Sequence, residues 1–129
     1  MSDAVRAFRV ALEKRDVDAA VGLLTDDVVF RSPVVFKPYR GCAAVRDILS
    51  AVCAVLDEWR CVREIGTAEG PDHALVFEAR IGNRQIEGCD FLHLDGDGSI
   101  DEFYVMVRPL SGAVALAEAT KAQLEQASG

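Results

Sequence analysis

The chain has 129 residues, half of them hydrophobic and 27% charged, which is enough for one domain with a buried core. Its formal net charge of −7 at pH 7 repels phosphate backbones and anionic lipid headgroups, and its 14 Lys and Arg residues form no basic cluster. We therefore expect neither a nucleic acid nor a membrane as a partner.

Hydrophobic periodicity divides the chain into a mostly helical first half and a second half rich in strands. Val5, Phe8 and Leu12, at spacings of three and four, indicate a first helix, and Asp16 is a candidate N-cap for a second. In chain order, the predicted elements are helices at 3–15 and 17–24, a strand at 28–32, a helix at 43–57, strands at 59–67, 74–81, 85–94 and 100–108, and a helix at 113–126. Helices followed by strands joined through tight turns predict an α+β domain over residues 1–129.

Asp90 is the most informative residue, because its strand otherwise turns only apolar or small side chains to the same face. The period of two over residues 85–94 gives Asp90 these companions on its face: Ile86, Gly88, Leu92 and Leu94. An unpaired carboxylate is costly to remove from water, so burial without a cation should raise the pKa of Asp90 and favour its neutral form. Asp90 is then either a structural acid that is hydrogen-bonded to a neighbour such as Trp59, or a polar group in a ligand pocket.

The two faces of the predicted sheet differ in character. In the last strand, strict alternation places four residues on the face of Asp90: Asp101, Phe103, Val105 and Val107. Asp101 lies next to the hairpin, however, so we favour an exposed strand end for it over a place on this face. The opposite face mixes charged residues with Cys89, Phe91, Tyr104 and Met106. This opposite face is too apolar for a simply solvated surface, so we predict a homodimer interface there.

Nothing in the sequence indicates a metal, a cofactor or disulfides. The four cysteines, none in CxxC spacing, are Cys42, Cys53, Cys61 and Cys89. The first ten residues lack the apolar core of a signal peptide, so we expect a cytoplasmic protein with free thiols. His73 is predicted to lie in a solvated loop, and His93 on the face opposite Asp90. We therefore predict no metal site and no cofactor.

Several short segments occur in a characteristic order. They are DVDAA at 16–20, TDDVVF at 25–30, Gly41 before the third helix, DGDGSI at 95–100 and VRPL at 107–110. Over the whole chain, these segments resemble the nuclear transport factor 2-like superfamily and its SnoaL-like polyketide cyclase branch. The resemblance implies a cone-shaped, strongly bent antiparallel sheet with the N-terminal helices over its concave face, a cystatin-like roll. This fold occurs in isomerases, cyclases, dehydratases, epoxide hydrolases and binding modules, so the fold alone does not indicate an activity.

The resemblance also implies a position for each group of the ketosteroid isomerase site. That enzyme uses an Asp base and an oxyanion hole made of a Tyr and a protonated Asp. Asp90 falls at the position of the protonated Asp, Phe8 at that of the Tyr, and Ser32 at that of the base. Because the Tyr hydroxyl and the base are missing, we do not expect isomerisation by that mechanism.

Two other chemistries of the superfamily make different demands. The epoxide hydrolase pattern needs an Asp–Arg–Asp set, for which Asp90 and Asp101 are candidates, but Arg80 and Arg84 are predicted to lie on the wrong face or in a turn. The polyketide cyclases rely mainly on one acid, and Asp90 or Asp101 meets that requirement. We therefore name Asp90 and Asp101 as candidate catalytic residues.

Two functions remain open at this point. The first is the binding of a small apolar ligand, with isomerase-, cyclase- or dehydratase-type acid/base chemistry by Asp90. The second is a non-catalytic binding or dimerisation module in which Asp90 is structural. The pocket that the resemblance implies is lined by Phe8, Leu12, Phe30, Ser32, Trp59, Phe77, Ile81, Ile86, Gly88, Leu92, Phe103, Val105 and Val107.

Overall fold

The computed structural model describes residues 2–128, with side chains up to residue 126. The helices are α1 (Asp3–Glu13), α2 (Val17–Val21), α3 (Cys42–Val55) and α4 (Leu110–Ser128). The strands are β1 (Leu24–Arg31), β2 (Tyr39–Arg40), β3 (Asp57–Ile65), β4 (Asp72–Ile81), β5 (Arg84–Leu94) and β6 (Ile100–Arg108). The predicted α+β class is confirmed.

The strands form one six-stranded sheet in the order β2-β1-β6-β5-β4-β3. Strands β3 to β6 are consecutive antiparallel neighbours, whereas β1 pairs with β6 in parallel. The sheet is therefore mixed, where an antiparallel one was predicted. The reason is that β1 and β6 are joined by no hairpin, so their relative direction is free of the turn geometry that makes the other neighbours antiparallel.

The N-cap of the second helix follows the sequence signal, but the helix is shorter than predicted. The Asp16 side chain accepts a hydrogen bond from the backbone N–H of Ala19 at 3.1 Å, which confirms the predicted cap. Helix α2 ends at Val21, and Leu24 already belongs to β1. Leu24 is drawn into the sheet because it pairs with Ile100 of β6 and buries its side chain there.

Strand β6 contains a bulge at Asp101. His93 of β5 pairs with Glu102, and Leu94 pairs with Ile100, so Asp101 is an extra residue between two paired positions. Ile100 and Phe103 are consequently both buried, at 0% and 2% exposure, although strict alternation predicted opposite faces for them. The alternation of β6 therefore changes at this point.

His73 was predicted to be solvated, and this was wrong. Strand β4 begins at Asp72, so His73 lies inside the sheet and is 3% exposed. Its ring nitrogen Nε2 lies 2.8 Å from the carbonyl oxygen of Gly70. A Cβ at Gly66 would lie only 3.1 Å from Cγ of His73, so the glycine leaves the space that the ring occupies.

Gly88 of β5 has no room for a side chain. A Cβ there would lie 2.7 Å from Cε2 of Phe77 and 2.7 Å from the carbonyl oxygen of Met106. Gly88 therefore leaves space for the Phe77 ring and not for a ligand.

Gly88→Ala should lower the free energy of unfolding by about 2 kcal/mol, because the new methyl group overpacks a rigid part of the sheet. Urea denaturation followed by far-UV circular dichroism measures the change. Gly96→Ala is the matched control, since nothing lies within 4 Å of its Cβ position. Equal stabilities of the two variants would contradict this account of Gly88.

Candidate functional site

A cavity of about 60 Å³ lies between the concave sheet face and helices α1, α3 and α4. Asp90 of β5 is the acidic residue in its wall. The lining residues are Phe8, Leu12, Arg15, Phe30, Pro33, Leu49, Val52, Cys53, Leu56, Trp59, Phe77, Asp90, Phe103, Val105, Val107 and Leu116. Almost all of them are apolar, so the Asp90 carboxyl group faces a space of low dielectric constant.

Asp90 is held on a central strand and is only 4% exposed. It pairs with Leu75 on one neighbouring strand and with Val105 on the other, so no polar side chain stands directly beside it. Its carboxyl group makes no hydrogen bond and no ion pair with any of residues 2–126. Burial raises the pKa of Asp90 from 3.8 to about 7. At neutral pH a large fraction of the carboxyl group is therefore neutral and can donate a hydrogen bond.

Two other polar residues line the cavity: Arg15 forms an ion pair with another side chain, and Cys53 has a poorly reactive thiol. The Arg15 guanidinium lies 2.8 Å from the Asp57 carboxylate near the surface. Burial raises the pKa of the Cys53 thiol; the nearby positive charge of Arg15 lowers it and the negative charge of Asp90 raises it. Cys53 is therefore a neutral thiol at physiological pH and a weak nucleophile.

Eight of the predicted lining residues do surround the cavity: Phe8, Leu12, Phe30, Trp59, Phe77, Phe103, Val105 and Val107. Four others do not border it: Ile81, Ile86, Gly88 and Leu92. Ile86 approaches Gly112 of α4 so closely that a Cβ at Gly112 would overlap it, and Leu92 packs in the main core. Gly88 is covered by Phe77. The face of β5 is thus shared between the cavity and two core clusters.

Asp101 does not join Asp90. The bulge in β6 turns its side chain towards His93, whose Nδ1 lies 2.6 Å from the carboxylate. The Asp101 side chain is 33% exposed, which agrees with the exposed strand end favoured above and not with the concave face that unbroken alternation gives. The hydrogen bond with Asp101 is the main cause that raises the pKa of His93, which is partly exposed.

The structure also locates the residues that were compared with the isomerase site. The Phe8 ring is fully buried against the Phe103 ring, with a centroid distance of 5.6 Å, and offers no hydroxyl to the cavity. Ser32 lies outside the cavity wall, and its Oγ accepts a hydrogen bond from the backbone N–H of Val34 at 3.1 Å. Asp90 is the acid that remains.

Sequence reasoning missed the contribution of the helices to the cavity. Leu49, Val52, Cys53 and Leu56 line it from the side of α3, and Leu116 lines it from α4. In the sequence, Leu49, Val52 and Leu56 recur at spacings of three and four, which indicates a buried helix face. The sequence did not show which part of that face packs in the core and which part borders a cavity.

Among residues 2–126 no group of three or more His, Cys, Asp or Glu side chains is arranged to hold a metal ion. Within the same part of the chain, no helix is long and apolar enough to cross a membrane.

The raised pKa of Asp90 makes the stability of the protein depend on pH. Between the unfolded value near 3.8 and the folded value of about 7, the folded state keeps a proton that the unfolded state releases. The free energy of unfolding of the wild type, relative to Asp90→Asn, should therefore fall by about 4 kcal/mol as the pH rises from 4 to 8, and stay level above that. Urea denaturation at a series of pH values measures the difference. The control is Asp27→Asn, which changes an exposed acid, and its free energy of unfolding should vary with pH as that of the wild type does. If the free energy of unfolding of Asp90→Asn also varied with pH like that of the wild type, the raised pKa would not belong to Asp90.

The chain was compared with protein-family models and with known proteins. The model of the SnoaL-like domain matches residues 5–103. A comparison with curated proteins found no significant match. Among solved structures, an uncharacterized protein conserved in bacteria, with a cystatin-like fold, from Silicibacter pomeroyi is 32% identical, with a TM-score of 0.90 over 95% of this chain and 86% of that one.

Two further structures carry functional names. A steroid delta-isomerase from Pseudomonas aeruginosa is 37% identical, with a TM-score of 0.89 over 95% of this chain and 90% of that one. SalBIII, an epoxide hydrolase/cyclase-like enzyme of pyran ring formation in the polyether salinomycin, is 20% identical, with a TM-score of 0.70 over 85% and 91% of the two chains, and shows a shared fold. The family match and the two similar bacterial structures agree with the architecture described above, and the chain belongs to the SnoaL-like domain family.

Proposed function

We propose that this protein binds a small, mostly apolar molecule in the cavity around Asp90, and that neutral Asp90 donates a hydrogen bond to an oxygen of that molecule. The observation that carries the proposal is the buried carboxyl group, which has no partner among the described residues and faces an apolar space. A neutral acid in such a place has an unused hydrogen-bond donor. A carbonyl or ether oxygen is the ligand group that matches it.

The chemistry that fits this site is acid catalysis on a substrate that is already reactive. Hydrogen bonding from Asp90 polarises a carbonyl and stabilises the negative charge that develops on its oxygen. Isomerisation, cyclisation or dehydration next to a carbonyl all use such a step. The 37% identical steroid delta-isomerase and the cyclase-like SalBIII support this class of reaction. With Phe8 and Ser32 in place of a Tyr and an Asp, the two-donor, one-base mechanism of ketosteroid isomerase is not proposed.

A purely structural role for Asp90 is the competing possibility. It required a hydrogen bond from a neighbour such as Trp59, and none is formed among the described residues. Without one, the buried acid stabilises no other group of the fold, and its presence favours a role in ligand binding.

Ligand binding should depend on the protonation of Asp90. For the wild type, the affinity for small ketones should be constant below pH 7 and fall about tenfold for each pH unit above it, as the carboxyl group ionises. Asp90→Asn keeps a donor, so its affinity should not vary with pH, and Asp90→Leu should bind weakly at every pH. Isothermal titration calorimetry with butanone and cyclohexanone gives these values.

Asp90→Leu should also unfold at a higher temperature than the wild type above pH 7, because it removes a buried charge. Asp27→Asn controls for the loss of an acid elsewhere and should follow the wild type. If Asp90→Leu bound ketones with the affinity of the wild type, the proposal would be contradicted.

We further propose that two copies of the chain associate through the outer sheet face, which is defined by Cys89, Phe91, Tyr104 and Met106. Phe91, Tyr104 and Met106 are exposed to between 36% and 57%. Around them, charges are paired across neighbouring strands, as in Arg31 with Glu102 at 3.3 Å and Arg108 with Glu87. The apolar patch therefore lies among compensated charges, which lets a second acidic chain approach without strong repulsion.

Met106→Glu places an unpaired charge in the middle of this patch and should weaken the dimer at least about tenfold. Sedimentation velocity over a range of protein concentrations measures the effect. Val114→Glu changes a similarly exposed apolar residue of α4 and should leave the association unchanged. A wild type that is monomeric throughout, or a Met106→Glu dimer of wild-type strength, would contradict the proposed interface.

A further inference from the structure

We infer that the ligand of the Asp90 cavity is elongated, and that it extends past Leu116 into an outer groove between α3, α4 and the segment that follows β1. This inference rests on the proposed function and specifies its substrate class. The ligand has an acceptor oxygen at its inner end and an apolar body that is too long for the inner cavity alone.

The size of the inner cavity is the first reason. At about 60 Å³ it holds the equivalent of a few water molecules, whereas one water needs about 10–15 Å³ on the same measure. Sites for small organic ligands usually measure about 300–1,000 Å³. The cavity therefore accommodates the oxygen-bearing end of a molecule and little more.

The outer groove supplies the missing space. It measures about 440 Å³ and is mainly apolar, with polar side chains among its lining residues. The lining residues are Phe30, Ser32, Pro33, Val34, Val35, Tyr39, Ile48, Val52, Leu116, Ala117, Thr120, Lys121, Leu124 and Glu125. Together the two spaces have the volume of an ordinary ligand site. The groove also accounts for Ser32, which the sequence placed in the pocket and the structure places here.

Four side chains border both spaces and form the wall between them: Phe30, Pro33, Val52 and Leu116. Phe30 is fixed by ring contacts, with its centroid 4.5 Å from that of Phe103 and 6.0 Å from that of Tyr39. Pro33 is rigid, and Val52 is β-branched on a helix, where it has one strongly preferred rotamer. Leu116 has more rotamers available, so it is the member of the wall that can move to join the cavity to the groove.

A series of linear methyl ketones, from butanone to decanone, tests the inference by calorimetry. If the chain passes Leu116 into the groove, wild-type affinity should rise about fourfold with each added methylene over several members of the series. If the ligand is confined to the inner cavity, affinity should stop rising after the shortest ketones, and this result would overturn the inference.

Leu116→Phe should block the passage. We expect it to lose the gain with chain length, so that the ratio of its decanone affinity to its butanone affinity falls at least tenfold below the wild-type ratio. The matched control is Val114→Phe, an exposed site on the same helix, which should keep the full gain. An unchanged gain in Leu116→Phe would show that the chain leaves by another route and would overturn the role of Leu116.

Leu116→Ala provides the opposite change if Leu116→Phe does not fold. It widens the passage, so a branched ketone too wide for the wild type should gain affinity, whereas equal affinity would count against the inference. Failure of the proposed function has a different signature, because no ketone of any length would then bind in an Asp90-dependent manner. If short ketones bind through Asp90 but affinity does not rise with chain length, the proposed function stands and only the extension into the groove is refuted.

Discussion

The site depends on one unfavourable interaction, the burial of the Asp90 carboxyl group in an apolar cavity. Desolvation raises its pKa to about 7, and at higher pH the buried charge costs about 4 kcal/mol of stability. A domain of this size usually has a free energy of unfolding of roughly 5–15 kcal/mol, so this cost is a large part of its stability. The fold therefore has to hold Asp90 in place through its neighbours and not through bonds to the carboxyl group itself.

The sheet provides that rigidity. Strand β5 lies between β4 and β6, and its pairing with β4 is continuous from Arg84 to His93. At Gly88 the Phe77 ring lies directly on the backbone of β5, one inward-facing position away from Asp90. Trp59 stacks on Phe77 with a centroid distance of 5.4 Å and forms the next part of the cavity wall. Asp90 thus stands beside two stacked aromatic rings, which make this side of the cavity wall apolar.

The regularity of β5 also explains what the sequence could predict. An unbroken period of two is enough to identify Asp90 as an acid on the buried face. The same reasoning failed for Asp101, because a bulge adds one residue to β6 and leaves no clear mark in the residue pattern. It failed for Ile86 and Leu92 for another reason: a buried face does not reveal which of its residues border a cavity. The cavity walls from α3 and α4 depend on how the helices dock, which local periodicity does not encode.

The arrangement of polar groups limits the chemistry in a specific way. Asp90 supplies a proton or a hydrogen bond, but Arg15 is engaged with Asp57 and the Cys53 thiol has a raised pKa. Neither of these two groups is a good proton acceptor. If a reaction occurs at this site, the proton acceptor is therefore Asp90 itself after it has ionised, or a basic atom of the substrate. A pKa near 7 suits the first case, since comparable fractions of the acid and its carboxylate are then present at neutral pH, and one group can act in both directions of a proton transfer.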